Sequence, residues 1–120
     1  MAMSASLQIM NNTGSDLMFT SISPVNDDST WSAPAEGSVL ASGSSDTISM
    51  GNSSVIFAPK GVGCNVKFIC KDNFELGQIY LDDPAVGSHS FHFGNEGVFD
   101  YVVENPTGNS YVVKVLLLNK

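Results

Sequence analysis

The residues able to do chemistry are few and thinly spread. Asp82 and Asp83 stand side by side before Pro84, and Asp27-Asp28 forms a second acidic pair. Paired carboxylates serve calcium binding or acid catalysis when they converge on one point. Adjacent side chains on an extended chain point apart, and no EF-hand spacing is present, so turn chemistry accounts for both pairs. His89 and His92 are three apart, which on a strand sends them to opposite faces and argues against a shared metal. No G-x-S-x-G elbow marks a nucleophilic serine. Lys60-Gly61-Val62-Gly63 lacks the Walker spacing and reads as a hairpin connection. Cys64 and Cys70 fall on one face of a strand, separated by six residues or about 20 Å. A disulfide needs Cα atoms within about 7 Å, so both are read as unbridged thiols acting as small apolar residues. The one Trp, Trp31, lies among Ser, Thr and Asp. There an amphipathic ring either meets a ligand or membrane interface or plugs one end of the fold. The pattern favours binding over catalysis, with no cofactor and no metal.

The elements that position these residues are short strands. Turn-rich clusters recur roughly every ten residues. Ser6 to Asn11 and Asp16 to Ser23 alternate apolar and polar residues around Asn12-Thr13-Gly14-Ser15 and read as an antiparallel hairpin. Thr30 to Ala33 carries Trp31, and Val39-Leu40 follows. Asp46 to Met50 and Ser54 to Ala58 are read as two strands turning at Gly51-Asn52. Gly63 to Cys70 alternates cleanly, with Cys64, Val66, Phe68 and Cys70 on one face. Leu76 to Leu81 is the next strand, Asp82 to Gly87 a loop, and Ser88 to Phe93 a strand with His92 opposite Phe91 and Phe93. Phe99 to Glu104 and Tyr111 to Leu118 complete the set. No window holds a 3.6-residue apolar period for three turns. The expectation is one all-β domain over residues 1–120: an antiparallel β-sandwich of about ten short strands with little or no helix.

Composition narrows the function. Apolar residues are 42% of the 120-residue chain and charged residues 14%, against about 25% charged in an average domain. Twelve acidic residues face five lysines and no arginine, a net charge of −7. Arginine is the usual bidentate reader of phosphate and guanine, so nucleic acid is excluded as a partner. Anionic lipid surfaces should repel the protein, leaving aromatics or a specific headgroup pocket as the means of engaging a membrane. Met1 to Leu7 has neither a charged nor an apolar leader segment. The expected product is soluble, made in the cytoplasm and released or deposited.

In order along the chain, several short stretches resemble the aegerolysin superfamily, above all its small bacterial branch. They are Ile9-Met10-Asn11-Asn12-Thr13-Gly14 with Leu17, then Trp31-Ser32-Ala33-Pro34, then Val39 with Gly43-Ser44-Ser45. Gly61 to Phe68 follows, then Tyr80-Leu81-Asp82-Asp83-Pro84-Ala85-Val86-Gly87-Ser88, and finally Tyr101-Val102-Val103 with Gly108-Asn109. The resemblance implies a β-sandwich that recognises a membrane lipid or membrane receptor, and that acts with a larger pore-forming partner in cytolytic or insecticidal two-part toxins. It points to Trp31, Tyr80, Asp82, Asp83, Pro84 and Ser88 as the ligand- or membrane-binding residues. Two other readings stand beside it. Asn, Asp and the lone Trp in loops are also the tools of a carbohydrate-binding lectin, and low charge density with abundant Ser and Asn would suit a self-assembling inclusion protein.

Overall fold

The computed structural model describes residues 2–25, 30–53, 62–72, 74–83, 90–94, 99–104 and 110–117. These residues form ten strands and no helix: β1 (Ala2–Asn11), β2 (Leu17–Pro24), β3 (Thr30–Ser32), β4 (Val39–Leu40), β5 (Ser45–Ser53), β6 (Val62–Cys70), β7 (Leu76–Asp83), β8 (Ser90–Gly94), β9 (Phe99–Glu104) and β10 (Ser110–Leu117). The strands make two five-stranded sheets, ordered β3-β5-β1-β10-β9 and β4-β2-β6-β7-β8. Every ladder is antiparallel except β1–β10, which runs parallel from Ser6–Ser110 to Asn11–Val115. The sandwich expected from the alternation is present.

The core lies between the sheets and follows the period of two. Leu7, Ile9, Ile48, Met50, Phe99 and Val115 from the first sheet meet Leu17, Phe19, Cys64, Val66, Phe68, Cys70, Ile79 and Leu81 from the second, all buried. Phe68 is the hub. Its ring lies 5.2 Å from Phe99 across the sandwich and 6.2 Å from Phe93 on its own sheet. Room for that ring comes from Gly77, its cross-strand partner, where a Cβ would stand 2.4 Å from Phe68 Cζ. Cys64 and Cys70 are buried and form no disulfide, as their spacing on one strand requires.

Three local readings are corrected. β1 and β2 do not pair as a hairpin: β1 joins β5 and β10, and β2 joins β4 and β6. The segment between them is a corner from one sheet to the other, held by Asn11, the one buried polar side chain among the described residues. Its Nδ2 donates to Ser15 O (2.8 Å) and Leu40 O (2.9 Å), and its Oδ1 accepts from Thr13 N (3.0 Å) and Thr13 Oγ1 (2.6 Å). Asn11 also opens an Asn-x-Thr sequon, and a glycan on an Nδ2 so engaged is incompatible with the fold. Second, β5 runs straight through Gly51-Asn52, because those residues pair with Ser4 and Met3 of β1 and Gly51 also pairs with Thr30 of β3. Cross-strand pairing there overrides a local turn preference, and Ser54 to Ala58 lies outside the described residues. Third, Asp82 and Asp83 belong to β7 rather than to a loop, with Asp82 opposite Gly63 on one side and Ser90 on the other.

Candidate functional site

Alternation along β7 decides which side chains are offered to solvent. Gly77, Ile79 and Leu81 turn inward, so Gln78, Tyr80 and Asp82 stand on the outer face of the second sheet. Register then adds neighbours. Asn65 of β6, Tyr80 and His92 of β8 form one row across three strands, and Lys67, Gln78 and Gly94 form the next. Tyr80 and His92 have ring centroids 6.0 Å apart and planes 36° from parallel. Gln78 Nε2 donates to Asn65 Oδ1 at 2.7 Å. The Tyr80 hydroxyl reaches towards Asp82 Oδ2 at 3.5 Å.

This grouping has an electrostatic consequence. Burial, the nearby Asp82 carboxylate and the contact to it all push the Tyr80 pKa above the ordinary tyrosine value. The raised pKa widens the pH range over which the Tyr80 hydroxyl keeps its proton and can donate a hydrogen bond.

Beside the rings, the sheet surface dips into a depression of ≈ 320 Å³, lined by Thr20, Lys67, Leu76, Gln78 and Gly94 among others. Two features of the backbone open it. The β2–β6 register slips between Phe19 and Ser21, leaving Thr20 as the extra residue of a bulge; bulges re-aim side chains in this way. On β8, Gly94 has no side chain to cover Gln78, and a Cβ there would touch only Gln78 Cβ (3.5 Å) and Gln78 O (3.9 Å).

The sequence-derived candidates divide. Tyr80 and Asp82 come together. Asp83 is the last residue of β7, its backbone opposite Val62. Trp31 sits on β3, at the edge of the other sheet, half-buried against the core. The edge strands β8 and β9 lie on the opposite flank, joined by the Phe93–Tyr101 stack at 4.6 Å. Trp31 is therefore not part of the Tyr80 cluster. Pro84, Ser88 and His89 lie outside the described residues, as do Asp27 and Asp28. His92, Asn65, Gln78 and Lys67 join the site without having been singled out as ligand residues. The parity of residues 78, 80 and 82 is readable from the sequence, but the register that brings β6 and β8 beside them is not. Among the described residues no three His, Cys, Asp or Glu groups are placed to hold a metal ion.

Comparison with known proteins yields a fold likeness. No protein-family model matches the chain, and no curated protein matches it in sequence. Among solved structures, the crystal structure of IP-1A from Alcaligenes faecalis aligns with a TM-score of 0.71 at 14% sequence identity, covering 98% of this chain and 92% of that one. At that identity the likeness is one of fold, carried across nearly the full length of both chains.

Proposed function

We propose that this protein is a binding component rather than an enzyme: it recognises a membrane lipid or membrane receptor on a target cell, as the small partner of a larger pore-forming protein in a cytolytic or insecticidal toxin. The observation that carries the reading is the outer face of β6–β7–β8. There Tyr80, Asp82 and His92 present ring planes and hydrogen-bonding groups on a rigid sheet, with no covering element among the described residues. The aegerolysin-like stretches of the sequence run through the same β7 residues, and the sandwich fold agrees with that resemblance. Among the described residues no helix is long and apolar enough to cross a membrane; this scheme assigns insertion to the larger partner. The charge balance disfavours anionic lipid, which points to a neutral or zwitterionic headgroup or a receptor.

The test is co-sedimentation with vesicles of varied headgroup, including sphingolipids with and without sterol. Selective pelleting with one neutral or zwitterionic class supports the reading. Failure to pellet with any lipid and to bind target-cell membranes removes it.

A further inference from the structure

Membrane targeting leaves the ligand chemistry open, and the outer face of the second sheet narrows it. The two rows Asn65–Tyr80–His92 and Lys67–Gln78–Gly94 mix ring planes with donors and acceptors in close alternation. An amide pair joined by one N–H···O bond, as in Gln78–Asn65, has one carbonyl and one N–H₂ left over whichever way each amide is turned. Asp82 adds carboxylate lone pairs that the long 3.5 Å contact from Tyr80 leaves largely unused. Thr20 adds a hydroxyl and Lys67 an exposed ammonium. Leu76 and the bare backbone at Gly94 supply apolar surface.

A ligand suited to this face must offer both donors and acceptors at short intervals and have an apolar face of its own. A pyranose ring does both, with hydroxyls around its rim and C–H groups on its faces. An anion is a poor fit. Among the described residues Lys67 is the sole cation lining the depression, Asp82 stands four residues beyond Gln78 on the same face of β7, and the chain carries −7 overall. The volume, ≈ 320 Å³, falls at the low end of the ~300–1,000 Å³ of small-ligand sites, enough for a sugar ring and too little for a folded peptide segment. We propose that the outer face of β6–β7–β8 binds a neutral glycan, one ring seated over Gln78 and Gly94 and a neighbouring ring against Tyr80 and His92. This deepens the membrane-target reading and rests on the same face of the molecule. The glycan would be the headgroup of a glycolipid or the sugar of a glycoprotein receptor.

Gly94→Val is the decisive variant. It fills the depression from a strand position where a Cβ makes only ordinary contacts, so the fold should persist, checked by an unchanged urea midpoint. Free neutral oligosaccharides are screened on an array, and affinities are then measured in solution for wild type, Gly94→Val, Gln78→Ala and Tyr80→Ala. The expected result is micromolar to millimolar binding of one neutral glycan class, lost in Gly94→Val and weakened about tenfold by each truncation, as for loss of one hydrogen bond or ring contact. Vesicles with and without the matching neutral glycolipid distinguish a lipid-borne sugar from a protein-borne one. No retained glycan, or glycan binding untouched by Gly94→Val, overturns the proposal. If sugar-free vesicles bind wild type and Gly94→Val equally, the glycan inference falls while the membrane reading stands.

Discussion

Replacing Asn11 by aspartate tests how the two sheets are tied together. The side chain is fully buried and its four hydrogen bonds are split evenly, two donated and two accepted. Aspartate keeps the shape and the two acceptor contacts, but turns the two donor contacts into a carboxylate oxygen facing Ser15 O and Leu40 O at under 3 Å. Stranding buried carbonyls costs about 1–3 kcal/mol each, and an unpaired buried charge adds to that. A loss of about 3–5 kcal/mol near neutral pH follows. At ~0.05–0.15 kcal/mol per residue, the whole chain has roughly 6–18 kcal/mol to lose.

The loss in Asn11→Asp should also depend on pH, and the sign is fixed by the geometry. The buried carboxyl introduced there would titrate above the ~3.9 of an unfolded aspartate, because only the protonated form can donate to a carbonyl. The folded variant then binds more protons than the unfolded one. Its stability is greatest below the unfolded pKa and falls as pH rises through the folded pKa. Urea unfolding followed by Trp31 fluorescence and circular dichroism, near pH 7 and near pH 4, measures this. With a slope of ~1–3 kcal/mol per molar urea, the midpoint near pH 7 should drop by about 2 M, and part of the gap to wild type should close near pH 4. A variant as stable as wild type near neutral pH, or a gap independent of pH, would refute the corner as drawn.

Three further outcomes are expected. Gly77→Ala places a Cβ 2.4 Å from the Phe68 ring, which Phe93 and Phe99 hold in place; it should cost about 1–3 kcal/mol as overpacking, and a double-mutant cycle with Phe68→Leu should recover part of it. Phe74 is 74% exposed and has φ 59°, a left-handed conformation costing ~1–2 kcal/mol in a residue with a Cβ; Phe74→Gly should raise the urea midpoint, and a lower midpoint would mean that the ring makes contacts worth more than the strain. Tyr80 should ionise above the ordinary tyrosine value in an ultraviolet titration, and Asp82→Asn should bring it down. Because its folded pKa is the higher one, its contribution to stability is complete below about pH 10 and fades as pH climbs through the folded value.

What could be read from the sequence was what depends on one strand at a time. The alternation of Cys64, Val66, Phe68 and Cys70 specifies a buried face with no knowledge of partners, and the spacing of the two thiols rules out a disulfide between them. The β1–β2 corner escaped because Asn12-Thr13-Gly14-Ser15 has the composition of a hairpin turn. Which sheet each flanking strand joins is settled about 20 to 100 residues away, at Ser45 to Ser53 and Ser110 to Val115 for β1 and at Val39-Leu40 and Cys64 to Cys70 for β2. Gly51-Asn52 and Asp82-Asp83 look like turns for the same local reason and are kept extended by cross-strand pairing. For Asp82, Gly63 opposite is part of the cause, since a Cβ there would collide with Leu81 O at 2.5 Å. The candidate site was half legible. Tyr80 and Asp82 were marked, but the amide pair, His92 and the depression exist only through register and a bulge. Trp31, marked with them, belongs to a different sheet.

That separation allows the most direct test of the central claim, that the Tyr80 face is what meets the target. Wild type, Tyr80→Ala and Trp31→Ala, each first shown to be folded, are titrated against the vesicles or target-cell membranes that bind wild type. Tyr80→Ala should weaken binding about tenfold or more, the equivalent of ~1.4 kcal/mol, while Trp31→Ala should bind as wild type does. Unchanged binding by Tyr80→Ala, with or without a loss in Trp31→Ala, would contradict the claim and move the recognition surface off the second sheet.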